Sequence, residues 1–206
     1  MKIAVLAAKG RAGSAIVQEA INAGFEVSAF VRSKAHFDER VHLVVKDMFS
    51  LTSTDLQGFD VIIDAFGEWQ DLSLHLKHIE YLNSILQGNE AKLIVVGGAG
   101  SLYMNTTHTL RLMDTPEFPK EYMGVAEATA EVLEFVRKSN LNWLYISPAA
   151  LFYEGKSQNY ELIGEEFKVN AKGESRVSYS TYATALIKLL SSGEIKMCQR
   201  ISLIEL

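Results

Sequence analysis

Ile3-Ala4-Val5-Leu6-Ala7-Ala8-Lys9-Gly10-Arg11-Ala12-Gly13 is the stretch on which the reading of this chain turns. Its apolar opening, Ile3 to Leu6, suits a strand buried on both faces. Small residues and two glycines follow. Ala12, Ala15, Ile16, Ala20 and Ala23 then recur at helical spacing until Gly24 stops the run. The chain thus passes from a buried strand through a tight bend straight into a helix. A helix start leaves backbone N–H groups without partners at the positive end of the helix dipole. Such a turn is suited to a pyrophosphate. Gly10 lets the backbone approach the phosphates, Gly13 lets the helix sit close to the sheet, and Lys9 and Arg11 add positive charge. The dinucleotide fingerprint has three glycines, and its first place is Ala7 here. The turn is therefore expected to take a conformation that tolerates a Cβ. A ligand-free strand–helix turn is the plainer reading of the glycines. Their position directly after the first strand favours a nucleotide site.

Outward from this turn, apolar runs alternate with helical stripes. Phe25–Val31, Val41–Val45, Val61–Ile63, Leu93–Val96 and Leu141–Ile146 read as further strands. Leu72, Leu76, Ile79, Leu82, Ile85 and Leu86 make one apolar helix stripe, and Val125, Val132, Leu133 and Val136 another. Alternation of this kind predicts right-handed crossovers and an α/β, Rossmann-like, doubly wound parallel sheet. Thr115–Glu121 is expected as a loop. Beyond Pro148 the pattern weakens: Leu151–Ser175 reads as irregular, Tyr182–Leu190 as a late helix and Arg200–Ile204 as a last strand. The expectation is a single domain over 1–206, with about 149–206 forming a small C-terminal lobe on the substrate side of the cleft.

Composition narrows the class. The 206 residues carry 20 Lys and Arg against 25 Asp and Glu, a net charge of −5, which argues against a nucleic-acid binder. A single cysteine, Cys198, removes the disulfide-scaffold class and reads as a packed thiol. No apolar run approaches the roughly 18 residues of a membrane span. Met1–Leu6 is too short for a signal peptide. The chain is expected to be cytoplasmic, free of membrane, and a monomer or homodimer.

Ligands of an open parallel sheet lie outside the carboxyl ends of its strands. The second strand ends in Arg32-Ser33-Lys34, and Arg32 stands 32 − 13 = 19 residues after Gly13. An NAD site usually places an acid there for the ribose 2′-hydroxyl, whereas a guanidinium suits a 2′-phosphate. NADP is therefore favoured, with NAD as the alternative. Asp47-Met48 after the third strand is expected beside the adenine. Ala65-Phe66-Gly67 after the fourth suits a close backbone approach. Gly97-Gly98-Ala99-Gly100-Ser101 should lie near the nicotinamide, and Pro148-Ala149 should wall that ring.

These segments, with Leu102, Phe118-Pro119-Lys120-Glu121-Tyr122, Leu141-Asn142-Trp143 and Ser147-Pro148-Ala149, resemble atypical short-chain dehydrogenases. The nearest group is the NmrA-like proteins and NADH-flavin reductases, related to the flavin/biliverdin reductases. The resemblance covers nearly the whole chain. It implies a Rossmann fold, a bound NAD(P) and reduction of a flavin or another small acceptor, the flavin being substrate rather than tightly held cofactor. Members usually carry Gly-Ala-Thr-Gly in the turn, from which Ala7 and Lys9 depart.

Typical short-chain dehydrogenases use a tyrosine followed four residues later by a lysine, which lowers the phenol pKa. None of the eight tyrosines has a lysine at that spacing. Tyr122 and Ser101 are the candidates for catalytic contact with substrate, and packing and helix capping are their plainer roles. Flavin reduction needs no strong protein acid, only two flat rings held face to face. His75 and His78 read as a solvated helix face, and no metal site is expected. Glu165-Glu166 reads as a solvated pair, Trp143 as core. Phe152, Tyr153, Tyr160 and Phe167 read as lobe packing, with an apolar substrate pocket as the alternative. Three functions follow. The first is an NADPH-dependent reductase of a small flat acceptor. The second is a non-catalytic dinucleotide sensor. The third is an epimerase of nucleotide sugars, disfavoured by the missing tyrosine–lysine pair.

Overall fold

A computed structural model describes residues 1–206. The strands are β1 (Lys2–Leu6), β2 (Glu26–Val31), β3 (Val41–Val45), β4 (Val61–Asp64), β5 (Lys92–Val96), β6 (Trp143–Ser147), β7 (Leu151–Tyr153), β8 (Tyr160–Ile163), β9 (Arg176–Ser178) and β10 (Gln199–Glu205). The helices are α1 (Arg11–Asn22), α2 (Ser73–Ile85), α3 (Lys120–Lys138) and α4 (Tyr179–Ser192). Eight strands form one sheet in the order β3-β2-β1-β4-β5-β6-β10-β8, and β7 pairs with β9 in a separate ribbon. Every pairing in the large sheet is parallel except that of β8 with β10. The chain runs from β1 outward to β3, then returns to place β4 on the other side of β1. That reversal opens a crevice at the carboxyl ends of β1 and β4.

Strand residues alternate between two cores, as the period of two requires. Ile3, Val5, Val61 and Ile63 face the layer of α1 and α4, where Ile16, Ala20, Leu186 and Leu190 are buried. Ala4, Leu6, Ile62, Leu93 and Val95 face the layer of α2 and α3, with Ile79, Leu82, Leu133 and Trp143. Both faces are covered, which explains the unbroken apolar runs of β1, β4 and β6. No helix is long and apolar enough to cross a membrane.

The structure amends the sequence reading at several points. α3 starts at Lys120, so the connection after β5 spans Gly97–Pro119 and includes a short 3-10 turn at Leu112–Asp114. The stretch expected to be irregular holds β7 and β8, with β9 just after it. These strands have three or four residues, too few to show a period. Of residues 149–206, α4, β8 and β10 join the main sheet and its helical layer. Cys198 is exposed, in a left-handed conformation (φ 57°) at the entry to β10, not a packed thiol.

Gly13 fixes how closely α1 approaches β1. A Cβ there would stand 2.7 Å from the Ala7 carbonyl oxygen and 2.9 Å from Ala8 Cα. Both are backbone atoms and cannot swing aside. Gly13→Ala is therefore expected to destabilise the protein by about 1–3 kcal/mol, the cost of overpacking. The urea midpoint measures it, and an unchanged midpoint would contradict this account of the turn.

Candidate functional site

The bend after β1 takes an unusual route. Ala7 lies in the left-handed region (φ 52°), although alanine pays for its Cβ there. The expected conformation friendly to a side chain is thus not the one adopted. Gly10 N–H donates to the Ala7 carbonyl at 2.9 Å, closing a tight turn. Gly10 then sits extended before α1, without a side-chain cap. Ser14 N–H is the first to reach back to the Gly10 carbonyl (2.8 Å), and the N–H groups of Arg11, Ala12 and Gly13 have no protein partner. A cradle of three unpartnered donors at a helix start, reached over a glycine, fits a pyrophosphate. Lys9 and Arg11 are exposed beside it. The Arg11 guanidinium lies 5.4 Å from the centre of the Tyr179 ring, a cation–π contact with the start of α4.

The other expected contacts distribute along the carboxyl edge. Arg32, Ser33 and Lys34 are all exposed directly after β2. Asp47 accepts from Phe49 N–H at 2.9 Å and so caps the 3-10 turn Met48–Ser50, with Met48 half-buried. Pro148 and Ala149 are buried at the end of β6. Gly97 and Gly98 have a packing reason of their own. A Cβ on Gly97 would enter the Tyr145 ring at 2.0 Å, and one on Gly98 would meet Thr129 Oγ1 at 2.5 Å. Tyr145 O–H donates to the Thr129 carbonyl and accepts from Gly98 N–H. Burial pushes this phenol up to about 12, so it stays protonated.

Ala65, Phe66 and Gly67 follow β4 on a loop held by two histidines. Contrary to the sequence expectation, His75 and His78 are buried, at 4% and 2% exposure. α2 turns them inward because Asp64, the last residue of β4, lies beneath. His78 Nε2 lies 2.8 Å from Asp64 Oδ2, and Nδ1 lies 3.1 Å from the Leu74 carbonyl. A carbonyl only accepts, so Nδ1 carries a proton. The Asp64–His78 contact then needs one more. Burial opposes the charged imidazole, but the Asp64 charge and hydrogen bond outweigh it and raise the His78 pKa. His75 Nε2 donates to the Glu68 carbonyl at 2.8 Å, and burial lowers its pKa. Phe66 lies flat on His78, centroids 4.2 Å apart, and its N–H donates to Asp64 Oδ1. No pattern within α2 could have revealed Asp64, which comes from another element.

A second polar cluster anchors the loop after β5. Ser101 is buried, and its Oγ and carbonyl both accept from Arg200 Nη1 at 2.9 Å. Glu165, far from being freely solvated, accepts from both Arg200 and Arg137. Glu166 pairs with His108 at 2.8 Å, and His108 stacks on Tyr103. Ser101 thus serves an anchor of the loop. Tyr122 is exposed in the first turn of α3. Phe152 packs on Tyr179 and Tyr182, and Tyr153 donates to Glu205.

A doubly wound sheet with a glycine cradle at its reversal defines a dinucleotide-binding protein. The family model for NAD(P)H-binding domains matches residues 7–192, and the chain belongs to this family. The chain is 40% identical over 202 residues to YwnB of Bacillus subtilis, spanning 95% of each protein. It is 47% identical to a Streptococcus pneumoniae protein described as a putative NADH-flavin reductase, with a TM-score of 0.94 and full coverage of both chains. A Bacteroides thetaiotaomicron protein described as a putative epimerase superposes with a TM-score of 0.86 at 31% identity, covering 100% of this chain and 97% of that one.

The Asp64–His78 pair carries a pH signature. The His78 pKa is raised in the fold, so its contribution is complete below about 6.5 and is lost as pH rises through the folded value. Asp64→Asn removes the source of that rise. The variant is expected to lose about 3 kcal/mol at pH 6, and less at pH 9, because the charged form of His78 is lost as pH rises through its raised folded value. Urea unfolding of both proteins at the two pH values measures this. A loss that is equal at both, or larger at pH 9, would rule out the charged pair.

Proposed function

We propose that the protein is an NADPH-dependent reductase of a small flat acceptor, with a flavin as the leading candidate. The observation that carries the reading is the exposed Arg32-Ser33-Lys34 at the end of β2, the place where an acid would favour NAD. The Arg11, Ala12 and Gly13 amides would hold the pyrophosphate, and Arg32 with Lys34 the 2′-phosphate. Family membership and the likeness to the streptococcal protein support a nicotinamide cofactor and a reductase role.

The reduced nicotinamide, when bound, supplies a hydride to the acceptor. The chain's own task is then positional. Its loops after β4, β5 and β6 fix where a ring can lie and keep water off it. Gly97 and Gly98, backed by Tyr145 and Thr129, give the nicotinamide side a rigid floor. A flavin product can take its proton from solvent, so a tyrosine–lysine pair is not required. The same missing pair argues against epimerase chemistry, despite the likeness to the Bacteroides protein. It also favours one second reading, a dinucleotide sensor without turnover.

Two measurements test the proposal. NADPH absorbance is followed with and without FMN, and oxidation faster than the uncatalysed rate is expected. Tight NADPH binding without turnover would select the sensor. Arg32→Ala is expected to weaken NADPH by about 10–100-fold, the worth of hydrogen bonds to a charged group, and to leave NADH within about twofold. Calorimetric titration reads both, and an equal loss for the two coenzymes would remove the 2′-phosphate contact.

A further inference from the structure

Trp69 is the most exposed large aromatic residue in the protein, at 58%, and Tyr122 follows at 48%. The two come from different elements. Trp69 lies 69 − 64 = 5 residues beyond the last residue of β4, and Tyr122 in the first turn of the helix that follows β5. Yet their rings meet, with centroids 6.3 Å apart and planes at 76°. Half-exposed rings contribute little to the core, so folding stability does not account for the pair.

The backbone that carries Trp69 is nevertheless held by hydrogen bonds. Glu68 carboxylate accepts from Trp69 N–H at 2.8 Å and from Gln70 N–H at 2.7 Å. The Glu68 carbonyl takes the His75 hydrogen bond, and Phe66 rests on His78. The Gln70, Trp69 and Asp71 amides lower the Glu68 pKa, and the charge of Arg32 adds a smaller effect in the same direction. On the helix side, a Cβ at Gly124 would stand 2.7 Å from Leu72 Cδ1. The start of α3 thus packs on the Leu72 side chain just before α2, in the region where Tyr122 meets Trp69. The buried polar cluster beneath this loop thus backs an exposed aromatic corner at the carboxyl edge of the sheet. Preset surfaces bind with less loss of conformational freedom.

We propose that Trp69 and Tyr122 form the binding corner for the planar ring of the acceptor, one ring stacking on it and the other meeting its edge. The inference rests on the reductase reading and specifies where the acceptor sits. Two perpendicular walls suit a fused, flat heteroaromatic such as an isoalloxazine, which presents both a face and an edge. More than half of the Trp69 surface stays open to solvent and available for stacking.

FMN is the probe, titrated by calorimetry into protein saturated with NADP+. Trp69 emission offers a second readout, because the other tryptophan, Trp143, is buried in the core. Trp69→Ala and Tyr122→Ala are each expected to weaken FMN about tenfold or more, the scale of losing one stacked aromatic. Tyr122→Phe keeps the ring and is expected to bind FMN within twofold of the original protein, which separates a ring contact from a hydroxyl role. NADP+ affinity should stay within twofold in all three. In Trp69→Phe, FMN should no longer quench the exposed tryptophan emission.

Unchanged FMN affinity in Trp69→Ala overturns the proposal. So does an equal loss of NADP+, which would place the adenine at this corner or signal a collapsed loop. NADP+ binding with no uptake of FMN by the original protein also overturns it. Failure of the original protein to bind either NADP+ or NADPH defeats the reductase reading itself, a different outcome from the others.

Discussion

The contact between α1 and the first strand governs the rest of the molecule. Gly13 brings the helix onto Ala7 and Ala8 at a distance where no side chain fits. That approach aims three unpartnered amides across the reversal between β1 and β4. It also seats α1 against α4, so the helical layer on that face and the ligand cradle are set by one close backbone contact. Ala7 bears the local strain that the tight bend requires, a conformation usually left to glycine. Strain of this sort persists where the surrounding structure over-determines it, and here a strand on one side and a helix on the other do so.

The loops after β4, β5 and β8 follow a different logic. They have little regular structure and are tied down by buried charge. Arg200, wholly buried, reaches from β10 to Ser101 and Glu165 and lashes two loops to the sheet. Burial lowers its pKa, while Glu165 works in the opposite direction. Asp64 and the two histidines perform the same service for the loop after β4. Both clusters replace apolar packing with directional bonds. Directional bonds fix position as well as depth, so these loops are held in defined places.

Local pattern carried the fold, and long-range pairing carried what the pattern missed. The edge strand Val41–Val45 matches the structure to the residue, and the central strands such as Lys2–Leu6, buried on both faces, read as continuous apolar runs. The glycine turn was legible for a similar reason, because the bend from strand to helix is written in consecutive residues. The histidines were not. At spacing i, i+3 they resemble a wet face, and only the fold brings Asp64 beneath them. Glu165 likewise looks like a loop carboxylate until β10 supplies Arg200 and α3 supplies Arg137. Trp69 offered no pattern at all, since its significance lies in meeting Tyr122 from another element. Gly97 and Gly98 looked like ligand contacts and have a second cause in the Tyr145 ring and Thr129 behind them.

The placement of β10 between β6 and β8 has a consequence for how the chain is made. Synthesis proceeds from the N-terminus, and domains begin to fold as they emerge. Residues 1–147 can pair β1 to β6 early. Until residues 199–205 leave the ribosome, however, β6 keeps a bare hydrogen-bonding edge and β8 has no neighbour. This strand also delivers Arg200, so the tethering of the loops that hold Ser101 and Glu165 must wait for it. A ribosome-bound intermediate of this protein should hold a formed nucleotide cradle beside an unfinished, sticky margin of sheet, the state in which a chaperone has most to protect.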